Sequence, residues 1–190
     1  EQAHLTRGYL YLELGQPHFK IGHPILANAW SALPIWKLAD LSLPTDEHLW
    51  QENRWSVFAD QFIWQPENNV EQIFFLSRLT TVALGLVLGA LVFRWSAQLW
   101  GFWGGAISLA LFVFDPTIVA HSRFVTDDVA VSLFFFLTIY ALWNYLRTGR
   151  LHHLLLTGLW FGLAQGSKFT AFLLFPISLA MVVLWPFFQG

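Results

Sequence analysis

Arg123-Phe124-Val125-Thr126-Asp127-Asp128 stands between two apolar runs, Gly104 to Phe114 before it and Val129 to Leu146 after it. The second run has no charged residue, and a helix crosses a bilayer with about 20 apolar residues. Two adjacent carboxylates at the mouth of such a segment are costly unless they are solvated or used. No Asp or Glu follows Asp128 to the end of the chain. The fold and the chemistry both turn on this charged knot.

Working outward, the chain has 190 residues, of which 56% are hydrophobic and 12% charged. A soluble domain carries roughly 25% charged residues, so the composition is that of an all-α integral membrane protein. Without Cys there is no disulfide framework, thiolate metal site or Cys nucleophile. A net charge of -2 with no basic stripe argues against a nucleic-acid partner. About five transmembrane helices are expected, near 71–93, 101–119, 129–146, 151–167 and 169–187. The last two come from splitting one long apolar run at Gln165-Gly166-Ser167-Lys168, where small and polar residues favour a turn.

Residues 1–70 differ: they hold eight of the twelve acids and no run of spanning length. Their Trp and Leu residues fall at helical spacing in Pro24 to Asp40, interrupted by Pro34, and again in Asp46 to Trp64. Such amphipathic segments suit helices lying in the membrane interface. The expected organisation is an exoplasmic first loop with interfacial helices over 1–70 and a helix bundle over 71–190. Counting crossings puts Arg94, Arg147, Arg150, His152 and His153 on one side and every acid on the other. Short basic loops are normally cytoplasmic, so the acidic side is read as exoplasmic, and in a bacterium periplasmic. The start, Glu1-Gln2-Ala3-His4, does not read as a signal peptide. The missing initiator Met and the apolar ending suggest an N-terminal piece of a longer protein.

On this topology Glu1, His4, His23, Arg123, Asp127, Asp128 and Lys168 reach one membrane face from distant parts of the chain. A few polar groups gathered in apolar surroundings are what a site requires. A carboxylate at the edge of low dielectric can act as a general base or bind a metal; equally, Thr126 or Asp127 could cap the helix that follows. Lys168 suits a phosphate at the membrane surface, or snorkels as interfacial lysines do. Arg123 reads as a second phosphate clamp or as the partner of Asp127 or Asp128. His18, His48 and His121 read as solvated histidines. Phosphate-binding glycine loops, metal-ligand pairs at helical spacing and a Gly-x-Ser-x-Gly elbow are absent from the sequence.

Glu1-Gln2-Ala3-His4-Leu5-Thr6-Arg7-Gly8-Tyr9 resembles the Asp-Glu-x-x-His-x-x-x-Gly opening of the first exoplasmic loop in polyprenyl-phosphate-sugar-dependent glycosyltransferases of the GT-C type. That family includes the protein O-mannosyltransferases and the lipid A aminoarabinose transferases. His23-Pro24-Ile25-Leu26 is similar to its His-Pro-Pro-Leu. Asp115 to Asp127 is similar to its second exoplasmic motif, and Gly162 to Phe169 to the stretch that delivers a lysine to the lipid phosphate. Gly22 and Ile25 depart from the mannosyltransferase pattern, which has Asp and Pro there, and point to a broader bacterial relative. The family's first acid would immediately precede Glu1.

The resemblance implies inverting transfer of a sugar from a polyprenyl-phosphate donor to a hydroxyl acceptor on lipid, glycan or protein at the exoplasmic face. It casts Glu1 and Asp127 as catalytic carboxylates, and His4, Arg7, His23, Arg123, Asp128 and Lys168 as substrate-binding residues. A divalent metal ion, as in some relatives, would draw on Glu1, His4 and Asp127. The competing readings are a transporter or flippase of an anionic lipid, with charges spread through the bilayer depth, and a non-catalytic membrane subunit with Glu1 far from Asp127. The enzyme reading calls for Glu1, Asp127 and Lys168 opening on one cavity.

Overall fold

The computed structural model describes residues 1–16, 22–51 and 54–188, which are mainly helical, with no strand among the described residues. Short helices α1 (Gln2–Leu14), α2 (Leu26–Leu38), α3 (Glu47–Gln51) and α4 (Trp55–Ile63) make a lobe. Then come α5 (Val70–Phe114), α6 (Pro116–Arg123), α7 (Asp128–Thr148), α8 (Leu151–Ser167) and α9 (Leu174–Leu184), with a 3-10 turn at Phe169–Leu173 before α9.

Three segments are long and apolar enough to cross a membrane: Val70–Phe114, Asp128–Thr148 and Phe169–Phe187. The count of five is therefore met only in part, and the difference lies in α5 and α8. At 17 residues α8 is about 26 Å long, slightly short of a hydrocarbon core of about 30 Å. The 45 residues of α5 hold two helical arms, because Gly101 at φ 72° breaks the helix beside Trp100. Left-handed backbone of this kind suits glycine, which has no Cβ to clash. The chain doubles back there: a Cβ on Gly105 would lie 2.9 Å from that of Ala97, and one on Gly89 would lie 3.2 Å from the Phe112 ring. Arms 70–99 and 102–114 thus form a tight hairpin.

The span expected over 101–119 ends earlier, at Phe114. Pro116 cannot continue the hydrogen-bond ladder and pushes Asp115 into extended backbone. Asp115 then caps a new helix, its Oδ1 accepting from the Thr117 and Ile118 amides at 2.8 and 3.0 Å. The reverse correction applies at Pro34, which lies inside α2 without interrupting it. The helix tolerates the lost bond where Trp30, one turn back, is half-exposed. The stretch 46–64 forms α3 and α4 instead of one helix. Lys168, extended at φ -156°, separates α8 from the turn before α9, where the split was expected.

The lobe has its own core, in which Leu5, Leu10, Ile35, Phe58, Phe62 and Ile63 are buried. Ile73 of α5 and Val125 of the α6–α7 loop join this core, so the lobe is welded to the membrane helices. Apolar residues on its outside, Trp30, Leu33 and Trp64 among them, remain exposed. α1 and α2 come into backbone contact at Gly8, where a Cβ would lie 2.0 Å from the Asn28 carbonyl oxygen. Backbone cannot yield as a side chain can. Gly8→Ala should therefore part α1 from α2 and destabilise the protein by about 1–3 kcal/mol, the usual range for overpacking. Thermal unfolding in detergent, followed by tryptophan fluorescence, measures it.

Candidate functional site

Every element of the site meets at the 124–128 loop. Glu1, at the head of α1, receives a bidentate pair from Arg78 on α5: Nε to Oε1 at 2.8 Å and Nη2 to Oε2 at 2.9 Å. The Val125 amide also donates to Glu1 Oε1, at 3.2 Å. Burial pushes the Glu1 carboxyl up, but the Arg78 and Val125 bonds more than offset this and leave it below its ordinary value. Glu1 is thus held as an anion with both oxygens engaged.

Asp127, two residues on from Val125, is only 3% exposed. Its Oδ1 lies 3.6 Å from His4 Nδ1, too far for a hydrogen bond, while His4 Nδ1 bonds Asn28 Oδ1 at 3.0 Å. Arg7 reaches past it, Nη1 donating to the His23 carbonyl at 2.6 Å. Asp127 Oδ2, Arg7 Nε, His23 Nδ1 and Asn28 Nδ2 are all buried without a hydrogen-bond partner among the described residues. Burial raises the Asp127 carboxyl above its ordinary value, and Asp128 adds to this against the opposing fields of His4, His23 and Lys168. No side-chain cap bond joins Asp127 to the start of α7, so capping does not account for it.

Asp128 turns the other way. Lys168 Nζ donates to its Oδ1 at 2.5 Å, and His121 Nδ1 lies 3.3 Å from its Oδ2. Arg123 pairs with neither acid. It is exposed and lines, with Arg78, a groove of about 920 Å³ along the first turns of α5.

The residues singled out in the sequence are accordingly brought to one loop, but Glu1, Asp127 and Lys168 do not open on the single cavity expected of them, because the three side chains leave the loop in different directions. Glu1 lies beside Val125, Asp127 among the α1–α2 side chains, and Asp128 with Lys168 beside a second cavity lined by His121. Among the described residues no three His, Asp or Glu side chains are placed to hold a metal ion. Of the three candidate ligands, Glu1 is taken by Arg78 while His4 and Asp127 face each other. His18 lies outside the described residues.

Three contributors were missed in the sequence. Arg78 is not among the residues the sequence singles out, although a guanidinium inside an apolar run is itself a functional signal. His121 was set aside as solvated, and Asn28 gives no local signal; it reaches the site because α2 crosses α1 at Gly8.

The profile of the dolichyl-phosphate-mannose-protein mannosyltransferase family matches residues 69–188. The matched stretch contains Arg78, Asp127, Asp128 and Lys168, while Glu1, His4, Arg7 and His23 precede it. No curated protein and no solved structure matches the chain.

The opposite displacements of Glu1 and Asp127 give opposite pH dependences. A carboxyl depressed on folding stabilises above its unfolded value, ordinarily near 4.5 for Glu1, and that contribution is lost as pH falls through the folded value. Glu1→Gln should unfold at lower temperature than wild type at pH 7, the gap closing in strong acid. A raised carboxyl destabilises as pH rises through its folded value, so Asp127→Asn should be as stable as wild type or more so at pH 7. Unfolding temperatures from pH 3 to 8 test both.

Proposed function

The chain belongs to the dolichyl-phosphate-mannose-protein mannosyltransferase family, membrane glycosyltransferases of the GT-C kind, and we propose that it transfers a sugar from a polyprenyl-phosphate donor to a hydroxyl acceptor at the exoplasmic membrane face. The observation carrying this reading is the loop that holds a buried, partly unbonded carboxylate, Asp127, next to the Asp128–Lys168 pair. A base and a phosphate-binding cation from adjacent positions are what inverting transfer from a lipid phosphate needs.

In the proposed step Asp127 Oδ2 takes the proton of the acceptor hydroxyl. The acceptor oxygen bonds the anomeric carbon from the face opposite the phosphate as the bond to the phosphate oxygen breaks. The departing electron pair stays on the lipid phosphate, and the Lys168 ammonium stabilises the charge. Asp127 suits the base because burial raises it towards the working pH, where a general base is most effective. Glu1, with both oxygens taken by Arg78, suits a structural anion that fixes the loop. Asp128 steadies Lys168 in the absence of donor, and His4, Arg7 and His23 surround the base. A polyprenyl-linked sugar is the proposed donor, and the surrounding bilayer is where it would be met. An alternating-access transporter is less well supported, since Asp127, Asp128, Lys168 and His121 gather at one loop instead of lining the bilayer depth.

In the full-length protein reconstituted in liposomes, Asp127→Asn should lower sugar transfer from dolichyl-phosphate-mannose by about 10²–10⁴-fold, the range for loss of a general base. Lys168→Ala should lower it comparably, with both variants inserting into membranes as wild type does. Wild-type turnover in either variant would refute that residue's role.

A further inference from the structure

Helical Ser and Thr hydroxyls commonly return a hydrogen bond to the carbonyl one turn back. Thr138, Thr148, Thr157 and Ser167 do so here at 2.7–2.8 Å. Thr117 and Ser122 on α6 and Ser132 on α7 do not, and make no hydrogen bond through their hydroxyls among the described residues. All three line one cavity of about 240 Å³ between α5, α6 and α7. Asp128 and His121, facing each other at 3.3 Å, complete its polar wall, and Leu88, Phe112, Ile118 and Val129 make its apolar side.

Three hydroxyls, each donor and acceptor, beside a carboxylate and an imidazole do not suit a lipid tail. They match a polyol, whose hydroxyls also donate and accept. The volume falls below the ~300–1,000 Å³ of pockets for drug-sized ligands, so the occupant is a small group of about one sugar ring. Its location adds a second constraint. Asp128, on the cavity wall, bonds Lys168 through Oδ1. A phosphate on Lys168 would therefore carry its substituent to the cavity mouth.

We propose that this cavity receives the glycosyl group of the lipid-linked donor, with Thr117, Ser122 and Ser132 reading its hydroxyls and limiting it to a monosaccharide. This rests on Lys168 holding the donor phosphate. The cavity is then the specificity-determining half of the donor site, and Lys168 the half that any polyprenyl phosphate would engage.

The test measures dissociation constants of the full-length protein in nanodiscs for dolichyl phosphate and for dolichyl-phosphate-linked mannose, glucose and galactose. The readout is the preference for a sugar-bearing lipid over the bare lipid phosphate, a ratio that does not depend on the folded fraction. Wild type should prefer at least one sugar by about tenfold or more, as expected of one or two new hydrogen bonds. Thr117→Val with Ser132→Ala removes two hydroxyls with little change in volume and should bring the ratio to near one. Ser122→Leu, which fills the cavity, should do the same. Equal binding of all four lipids by wild type would overturn the proposal, as would a preference retained in either variant. Lys168→Ala should weaken all four alike. If it does not weaken dolichyl phosphate, the phosphate assignment fails, whatever the ratios show.

Discussion

The contact on which the rest of the structure depends is the fork between Arg78 and Glu1, closed by the Val125 amide. It joins three parts of the chain: the head of α1, the first arm of α5 and the loop before α7. A guanidinium near the start of a spanning helix and a carboxylate in a half-buried setting are each expensive alone. Paired in parallel hydrogen bonds they satisfy one another and fix geometry as well as charge. Val125 and Ile73 entering the lobe core add apolar packing to the same junction. The lobe therefore sits on the membrane helices as one body, and the loop bearing Asp127 and Asp128 is pinned from both sides.

From that pinned loop three carboxylates diverge into different environments. Glu1 is neutralised by an arginine. Asp127 is buried with one oxygen unbonded, among side chains whose own donors are unpaired. Asp128 spans Lys168 and His121 with its two oxygens. Environments that differ this much assign different roles to chemically similar groups. In the proposed reaction the anion held by a fork is the brace, the buried and raised carboxyl is the base, and the carboxylate between Lys168 and His121 holds the lysine for an incoming anion. The proposed transfer reaction uses all three states within a few residues of chain.

Close approaches at glycine decide how these groups meet. Gly8 lets α1 lie against the backbone of α2, which sets Asn28 opposite His4; Gly89 and Gly105 let the second arm of α5 fold onto the first. The hairpin ends at Asp115-Pro116, and α6 then carries Thr117, His121 and Ser122 to the cavity wall beside Asp128. Helix breaks that look like defects in a membrane span are the points where polar side chains are delivered.

The sequence by itself determined the membrane class, the place of the spanning segments at Val70–Phe114, Asp128–Thr148 and beyond Lys168, and the residues that gather at the loop. These follow from apolar run length and from the scarcity of charge after residue 70, both local properties of the chain. It misjudged Pro34, read 101–119 as one span and passed over Arg78, Asn28 and His121. Whether a proline breaks a helix, where a hairpin turns and which cation takes which carboxylate depend on partners remote in sequence. Glu1 and Val125 are 124 residues apart, and only the tertiary fold, with α2 packed on both α1 and α5, decided that Glu1 faces an arginine while Asp127 stays buried with Oδ2 unbonded. Charge pairing in a low-dielectric setting is set by distance in space, and that distance is a product of the tertiary fold.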